Sequence, residues 1–147
     1  NSAAAAITRL LDMGVEDYLL SSTIAGIVSQ RLVRNLCTSC REPAPMRAEW
    51  ASEFAASGLP TEGATLFAPK GCAACNGTGF RGRSVICEIL VPDESVRKLV
   101  LEHAAASQIH ARAAALGMES LRRNGLRKVL EGVTTVEEIS RVAQEEE

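Results

Sequence analysis

The chain has 147 residues, of which 46% are hydrophobic and 23% charged, and its formal net charge is −2. That composition is typical of a globular chain that can bury one sizeable core or two small ones. The acidic balance and the low aromatic content, 3% of residues, argue against a protein that neutralises phosphates or stacks on bases. No apolar run approaches the roughly 18 residues of a membrane span, and the start does not resemble a secretory signal.

The first third of the chain predicts two helices followed by a strand. Ser2 precedes an alanine-rich amphipathic pattern that ends at Gly14, which predicts a capped helix packed on a neighbouring element. Because this pattern starts at once, we expect the chain to begin inside a larger domain. A second helical pattern runs from Val15 to Ser29. The alternation from Gln30 to Cys37 and again from Ser84 to Leu90 predicts two strands, and we expect them to pair.

Two CxxC pairs bracket the segment between these strands: Cys37 with Cys40, and Cys72 with Cys75. Two such turns supply the four thiolates of a closed tetrahedral zinc site, which has no position for a catalytic water. We therefore predict one structural zinc ion per chain, held by all four cysteines. The alternatives are an iron–sulfur cluster, two disulfides, which would close loops too short to staple the chain, and a redox dithiol, which needs only one CxxC. Thiols arranged for metal indicate the cytosol.

Between the cysteine pairs the sequence predicts one short helix. Arg47 to Ser57 has Trp50 and Phe54 at helical spacing, and we expect these two aromatic rings to cover the sulfurs from water. Pro43 and Pro45 are expected to stop any extension of the first strand. Residues 61–65 are predicted to be loop.

The glycines around the second CxxC pair have two functional interpretations and one structural one. Gly77, Gly79 and Gly82 spell GxGxxG, but neither the strand nor the helix of a dinucleotide-binding motif flanks them. The run from Cys72 to Gly79 also resembles one CxxCxGxG repeat of the DnaJ-type chaperones, which carry four. We expect instead that the glycines let backbone N–H groups face the sulfurs. Cys87, in the second strand, is interpreted as a buried small apolar residue without a ligand role.

After the second strand the chain is predicted to be helical to its end. Gly125 lies in an apolar helical stripe, which predicts that another helix approaches closely there. Thr135 and Glu138 are spaced as a capping box at the start of the last helix. His103 and His110 lie seven apart without another ligand nearby in sequence, and we interpret them as packed or surface histidines.

Four stretches of the sequence together resemble one family: ITRLLDMGV, SQRLVRNLC with the first CxxC, GCAACNGTGFRGRSVICEIL and NGLRKVLEGVTTVEEISRV. They are similar to the C-terminal portion of the secretion ATPases, a family that includes the type II secretion and the type IV pilus assembly ATPases. The resemblance covers essentially the whole chain and is most specific at residues 30–40 and 71–83. The run GVEDYLLSSTIAGIVSQRLVR is more similar to the type II members.

The resemblance implies an α+β fragment, mainly helical, at the C-terminal end of a RecA-like α/β ATPase domain. We predict three parts: the end of the ATPase core at 1–36, completed by the strand 83–90; a zinc-binding insertion at 37–82; and a C-terminal helical subdomain at 91–147. The phosphate-binding GxxxxGK[ST] loop of the family lies upstream, and no GK[ST] occurs in this chain. ATP and Mg²⁺ are therefore expected for the parent ATPase only, and no residue here is assigned a catalytic or cofactor-binding role.

The function implied by the resemblance is that of a coupling region in a hexameric ATPase that powers protein export by type II secretion. The equivalent region of a type IV pilus assembly ATPase is the first alternative. The alternative of another class is a zinc-ribbon nucleic-acid-binding module, against which the acidic balance argues. The expected partners are the other subunits of a homohexameric ring and the inner-membrane platform proteins, without nucleic acid. The expected location is cytoplasmic, peripheral at the inner membrane of a bacterium.

Overall fold

A computed structural model describes residues 2–143 of the chain. These residues form an α+β structure, mainly helical as predicted, with two small two-stranded sheets. None of the helices between residues 2 and 143 is both long and apolar enough to cross a membrane. The elements in chain order are α1 (Ala3–Asp12), α2 (Asp17–Thr23), β1 (Ile27–Leu36), β2 (Glu42–Ala44), α3 (Ala48–Ala56), β3 (Leu66–Ala68), a 3₁₀ turn (Ala73–Cys75), β4 (Phe80–Leu90), α4 (Glu94–Leu101), α5 (Ala106–Ala115), α6 (Leu121–Leu130) and α7 (Val136–Val142).

The contacts group the described residues in two units. Unit 1 comprises residues 2–30 and 87–120, and unit 2 comprises residues 31–86 and 121–143. The strands β1 and β4 are hydrogen-bonded neighbours in one sheet, which confirms the predicted pairing, and each contributes residues to both units. The helices that follow β4 therefore do not group together: α4 and α5 belong to unit 1, and α6 and α7 belong to unit 2. The three-part division at 1–36, 37–82 and 91–147 stays a prediction.

Unit 1 is held together by apolar faces of its helices. Ser2 caps α1 as predicted, its Oγ accepting the Ala5 N–H at 3.1 Å, and Asp93 caps α4 by accepting the Val96 N–H at 2.9 Å. Ala3 and Ala4 in the first turn of α1 are fully buried. The carboxylate of Glu88 accepts the Ala3 N–H at 2.9 Å, where the helix dipole favours an anion. The buried core residues are Ala3, Ala4, Ile7, Leu20, Leu90, Val96, Val100, Ile109 and Ala113.

Unit 2 has an apolar core in which residues of β1, of β4 and of the segment between the two cysteine pairs meet α6 and α7. Its buried members are Val33, Phe54, Leu59, Leu66, Ile86, Leu126, Val129, Val136, Ile139 and Ala143. Gly125 of α6 lies against Ile139 of α7, and a Cβ on Gly125 would be 2.7 Å from the Ile139 Cδ1. This contact confirms the close helix approach predicted at Gly125.

One expectation about local structure is wrong. The second helix ends at Thr23 rather than Ser29, and β1 begins at Ile27; β-branched residues dominate this stretch, and they favour a strand over a helix.

Pro43 lies inside β2, opposite Phe67 of β3. In a two-stranded sheet each strand has one unpaired edge, so a residue without an N–H is tolerated there.

Candidate metal centre

The two strands of the longer sheet place the two cysteine pairs at the same end of the ladder. Cys37 directly follows β1, and the 3₁₀ turn that ends at Cys75 comes shortly before β4. The Cys37 N–H donates to the Gly79 carbonyl at 2.9 Å, so the backbones of the two cysteine turns are joined directly. The pairing of β1 with β4 thereby brings together two cysteine pairs that have 31 residues between them in sequence.

The two cysteine turns have similar backbone hydrogen bonds. In each CxxC turn the N–H of the second cysteine donates to the carbonyl of the first at 3.3 Å. A further N–H closes each turn on that same carbonyl: that of Arg41 on Cys37 at 2.9 Å, and that of Gly77 on Cys72 at 2.8 Å. Both turns therefore present two sulfurs on one side, as the spacing predicted.

The four sulfurs have the spacing of a tetrahedral thiolate site. All lie within 4.8 Å of one another; Sγ–Sγ distances are 3.9 Å for Cys37 and Cys72, 3.9 Å for Cys40 and Cys75, and 3.8 Å for Cys72 and Cys75. Four sulfurs about 2.3 Å from a zinc ion at their centre would be about 3.8 Å apart. A disulfide would require about 2.05 Å. The donor set and its spacing thus fit a zinc ion.

Backbone N–H groups point at the sulfurs, as expected of the glycine-rich loop. Cys75 Sγ accepts the N–H groups of Cys72 and Gly79, both at 3.2 Å, and Cys40 Sγ accepts that of Gly71 at 3.3 Å. Gly71 has φ +106°, and a Cβ there would lie 2.5 Å from the Gly77 carbonyl oxygen. The close passage of these backbone segments therefore requires glycine, and their N–H dipoles favour negative charge on sulfur.

These surroundings separate the acidities of two of the thiols. Burial opposes ionisation of Cys75, but the N–H donors of Cys72 and Gly79 outweigh it and lower its pKa to about 6. Burial raises the pKa of the Cys40 thiol to about 11, against the opposing effect of the Gly71 N–H. Binding of a metal by all four sulfurs must release protons, so the affinity for metal decreases as the pH falls.

Comparison with known proteins assigns the chain to a family. Residues 1–141 match the family described as "Type II/IV secretion system protein". The chain belongs to this family. The match confirms the resemblance stated from sequence. The four-cysteine cluster is thus a feature of a secretion-family protein.

Individual relatives include members of both branches of the secretion family. The chain is 48% identical over 147 residues to the type II secretion system protein E of Pseudomonas aeruginosa. It is 40% identical over 147 residues to the type II secretion system ATPase E of Vibrio cholerae. Over 139 residues it is 41% identical to the type IV pilus assembly ATPase PilB of Thermus thermophilus. These matches cover 99%, 99% and 95% of this chain, and 28%, 28% and 16% of the relatives.

The other candidates from sequence lie outside the cysteine cluster. Cys87 is not among the grouped sulfurs, as predicted, but it is half-buried rather than buried. Phe54 is fully buried in the apolar core of unit 2, with Trp50 packed against that core, so Phe54 is a core residue of this secretion-family chain and not a cover over the sulfurs. His103 forms an exposed pair with Asp17, with Nε2 and Oδ2 3.0 Å apart.

Glu138 is the centre of a charge network that the sequence pattern described only in part. Thr135 Oγ1 accepts the Glu138 N–H at 3.2 Å, which is one half of the predicted capping box. The Glu138 carboxylate does not complete the box: it binds the guanidinium groups of Arg34 and Arg141 at 2.8 and 2.6 Å, and it accepts the Arg34 N–H. Burial opposes its ionisation, but Arg141 and Arg34 lower its pKa to about 2. Arg34 is 104 residues away, so no local signal could have found this network.

Proposed function

We propose that Cys37, Cys40, Cys72 and Cys75 hold one structural zinc ion per chain. We further propose that the chain is the C-terminal zinc-containing region of a hexameric cytoplasmic ATPase that powers protein export by a type II secretion system. One observation carries this: four sulfurs at zinc spacing occur in a chain that is 48% identical over 147 residues to a type II secretion system protein E. The chain spans about 28% of the length of that relative.

The zinc acts as a structural and not a catalytic ion in this proposal. Four protein thiolates fill a tetrahedral shell, which leaves no position for water or substrate. Two of the four sulfur residues, Cys37 and Cys75, are buried, and backbone N–H groups satisfy the Cys75 and Cys40 sulfurs from outside the shell. When bound, the metal neutralises thiolate charge and fixes the positions of the two turns.

Contacts next to the first cysteine turn support a coupling role for this region. Arg41 directly follows Cys40; its guanidinium lies 4.2 Å from the centre of the Phe67 ring and donates to the Gly132 carbonyl at 2.5 Å. The Leu36 N–H donates to the Val133 carbonyl at 2.8 Å. Since residues 132 and 133 form the turn between α6 and α7, the cysteine turn and the last two helices are fastened together.

We propose that unit 2 presents a rigid surface to a neighbouring subunit of the ring or to the inner-membrane platform. It would transmit motion that nucleotide drives elsewhere in the full-length protein. Placement at the C-terminal end of a RecA-like domain, attachment at the cytoplasmic face of the inner membrane, and homohexamer formation are parts of the same proposal. Three features of unit 2 supply a fixed scaffold for such contacts: the sulfur cluster, the contacts of Arg41 with Phe67 and Gly132, and the apolar core.

ATP hydrolysis is assigned to the full-length ATPase and not to these 147 residues. Transfer of a phosphoryl group needs Mg²⁺ and a cradle of backbone and lysine donors around the phosphates, and no GxxxxGK[ST] occurs in the sequence. We expect the purified 147-residue chain to release no phosphate from ATP above background. Release that persists after contaminating ATPases are removed would contradict this.

The test of the coupling role uses the full-length ATPase. Cys37→Ser or Cys72→Ser should abolish zinc binding and secretion while nucleotide binding is largely retained. Cys87→Ser is the matched control, because Cys87 lies outside the cluster, and it should retain zinc and secretion. Cys37→Ser protein that lacks zinc yet secretes normally would overturn the proposal.

A type IV pilus assembly ATPase is the second candidate, favoured by the 41% identity over 139 residues to the Thermus thermophilus PilB. The two candidates differ in what an exchange experiment would restore. A type II secretion ATPase whose corresponding region is replaced by residues 1–141 should support secretion, whereas the same exchange in a pilus assembly ATPase should not support piliation. The opposite pattern would assign the chain to the pilus branch.

A further inference from the structure

A second cluster of charged side chains lies in unit 2, outside the sulfur site. A cavity of about 490 Å³ is lined by Leu32, Arg34, Arg83 and Arg141. An adjoining cavity of about 230 Å³ shares Arg34 and Arg83 and is lined in addition by Thr78, Phe80 and Gly82. Neither the proposed zinc site nor the ATPase assignment gives these three guanidinium groups a role.

The charges around this cavity do not balance. Glu138, whose side chain is 1% exposed, pairs with both Arg34 and Arg141, whose side chains are 49% and 56% exposed. One carboxylate therefore serves two guanidinium groups. The Arg83 side chain is exposed and makes no hydrogen bond or ion pair with any residue from 2 to 143. Among residues 2–143, three positive charges and one negative charge leave an excess of about two positive charges at the cavity.

The guanidinium groups at the cavity are oriented and not merely near it. The Glu138 carboxylate holds Arg34 by its Nε and one terminal nitrogen, and the Phe80 ring lies 4.2 Å from the Arg34 Cζ. Arg141 is held to the same carboxylate by its Nε and one terminal nitrogen. Each of these two side chains keeps one terminal nitrogen without a described partner. A fork of fixed guanidinium groups suits bidentate recognition of an oxyanion.

We propose that Arg34, Arg83 and Arg141 form a binding site for a phosphate group. A phosphate monoester carries about −1.5 to −2 charges at neutral pH, which matches the excess of two positive charges, whereas a single carboxylate would neutralise half of it. The volume of the larger cavity, about 490 Å³, lies within the range of about 300–1,000 Å³ that is usual for small-ligand sites. The site belongs to unit 2 alone and does not rest on the proposed function.

The test measures binding of inorganic phosphate to the purified 147-residue chain by titration calorimetry at low and at physiological salt. Arg83→Gln removes one cation that has no partner in the described structure, so it should leave folding and zinc content unchanged. We expect it to weaken phosphate binding about ten- to a hundredfold, the loss typical of a hydrogen bond to a charged group. Arg81→Gln, two residues earlier on the same strand and outside both cavities, is the matched control and should bind as the parent does.

A second arm distinguishes the source of the phosphate group. Flotation with phosphatidylcholine vesicles, with and without phosphatidic acid, tests a lipid headgroup under the same conditions. Binding of either phosphate source that Arg83→Gln weakens and Arg81→Gln does not supports the site, and the arm in which it occurs identifies the source. No binding in either arm, or equal loss in both variants, would overturn the proposal; equal loss would mean that only net charge matters.

Discussion

The two units of this chain differ in what holds them together. Unit 1 relies on apolar burial. Its core consists of nine buried residues, eight from its helices and Leu90 at the end of β4. Unit 2 has an apolar core of similar size, but its cysteine turns lie outside it. In residues 37–46 and 69–80 the buried residues are Cys37, Cys75 and Gly79. Those turns have no core of their own, so the proposed metal must supply their order.

The largest expected effect is loss of the metal. Cys72→Ser, or removal of zinc by a chelator, should release the two cysteine turns, because thiolate repulsion and backbone entropy then have nothing to offset them. Limited proteolysis should cut first between residues 41 and 70, and peptides from unit 1 should remain protected. Mass spectrometry of timed digests measures both.

Cys87→Ser is the control for this comparison and should retain the parent digestion pattern. If the 41–70 segment stays resistant after chelation, the metal is not what orders the cysteine turns. If unit 1 is digested as early as unit 2 after chelation, the claim that only unit 2 depends on the metal is wrong.

Truncation of the unit 1 core should destabilise the chain whether or not zinc is present. Ile109→Ala removes a fully buried side chain, and such substitutions cost about 2–5 kcal/mol of the free energy of unfolding. Leu116→Ala, at the end of the same helix and 45% exposed, should cost less than about 1 kcal/mol. Urea unfolding with and without chelator compares them, and a zinc-dependent penalty for Ile109→Ala would contradict the account of unit 1.

The buried carboxylate of Glu138 should make the stability of unit 2 depend on pH. The pKa of Glu138 lies at about 2 in the folded chain against an ordinary value of 4.5. Its contribution to the free energy of unfolding is therefore complete above pH 4.5 and is lost as the pH falls towards 2. Glu138→Gln should lower stability at pH 7 by about 1–3 kcal/mol and flatten this part of the pH profile.

Glu137→Gln, a change at the exposed neighbouring residue, is the matched control. It should leave the free energy of unfolding at pH 7 and its pH dependence near those of the parent. Stability curves from pH 2 to 7 at constant ionic strength make the comparison. A Glu138→Gln profile with the parent slope below pH 4.5 would show that another group titrates there.

The smallest expected effect concerns the contact between α6 and α7. Gly125→Ala would gain about 1 kcal/mol of helix propensity, but its Cβ would lie 2.7 Å from the Ile139 Cδ1, and overpacking costs about 1–3 kcal/mol. We expect a net loss of about 1 kcal/mol. Ile139→Val removes the Cδ1 atom, so the double variant should lose less stability than the sum of the single variants in urea unfolding. Additive losses would mean that the two residues do not compete for space.

Features of this chain that depend on neighbouring residues could be predicted from sequence. The CxxC turns, the cap at Ser2 and the glycine at position 125 have causes within one turn or one helix, and the structure has each of them. The end of α2 was misjudged because apolar residues at Ile24, Ile27 and Val28 satisfy helical and strand patterns alike.

Features that depend on distant residues could not be predicted. Glu138 has the correct spacing for a capping box, but its carboxylate binds Arg34, which lies 104 residues away. The grouping of α4 and α5 with the first helices, and of α6 and α7 with the cysteine segment, likewise depends on which apolar faces meet. Periodicity reveals such a face but not its partner.

The metal content of the purified chain tests the central claim most directly. Protein expressed without a metal-binding tag should contain close to one zinc ion per 147-residue chain by elemental analysis. Cys37→Ser should contain none, and Cys87→Ser should equal the parent. Iron with visible absorbance, or a metal-free parent with four titratable thiols in the cluster, would contradict the account.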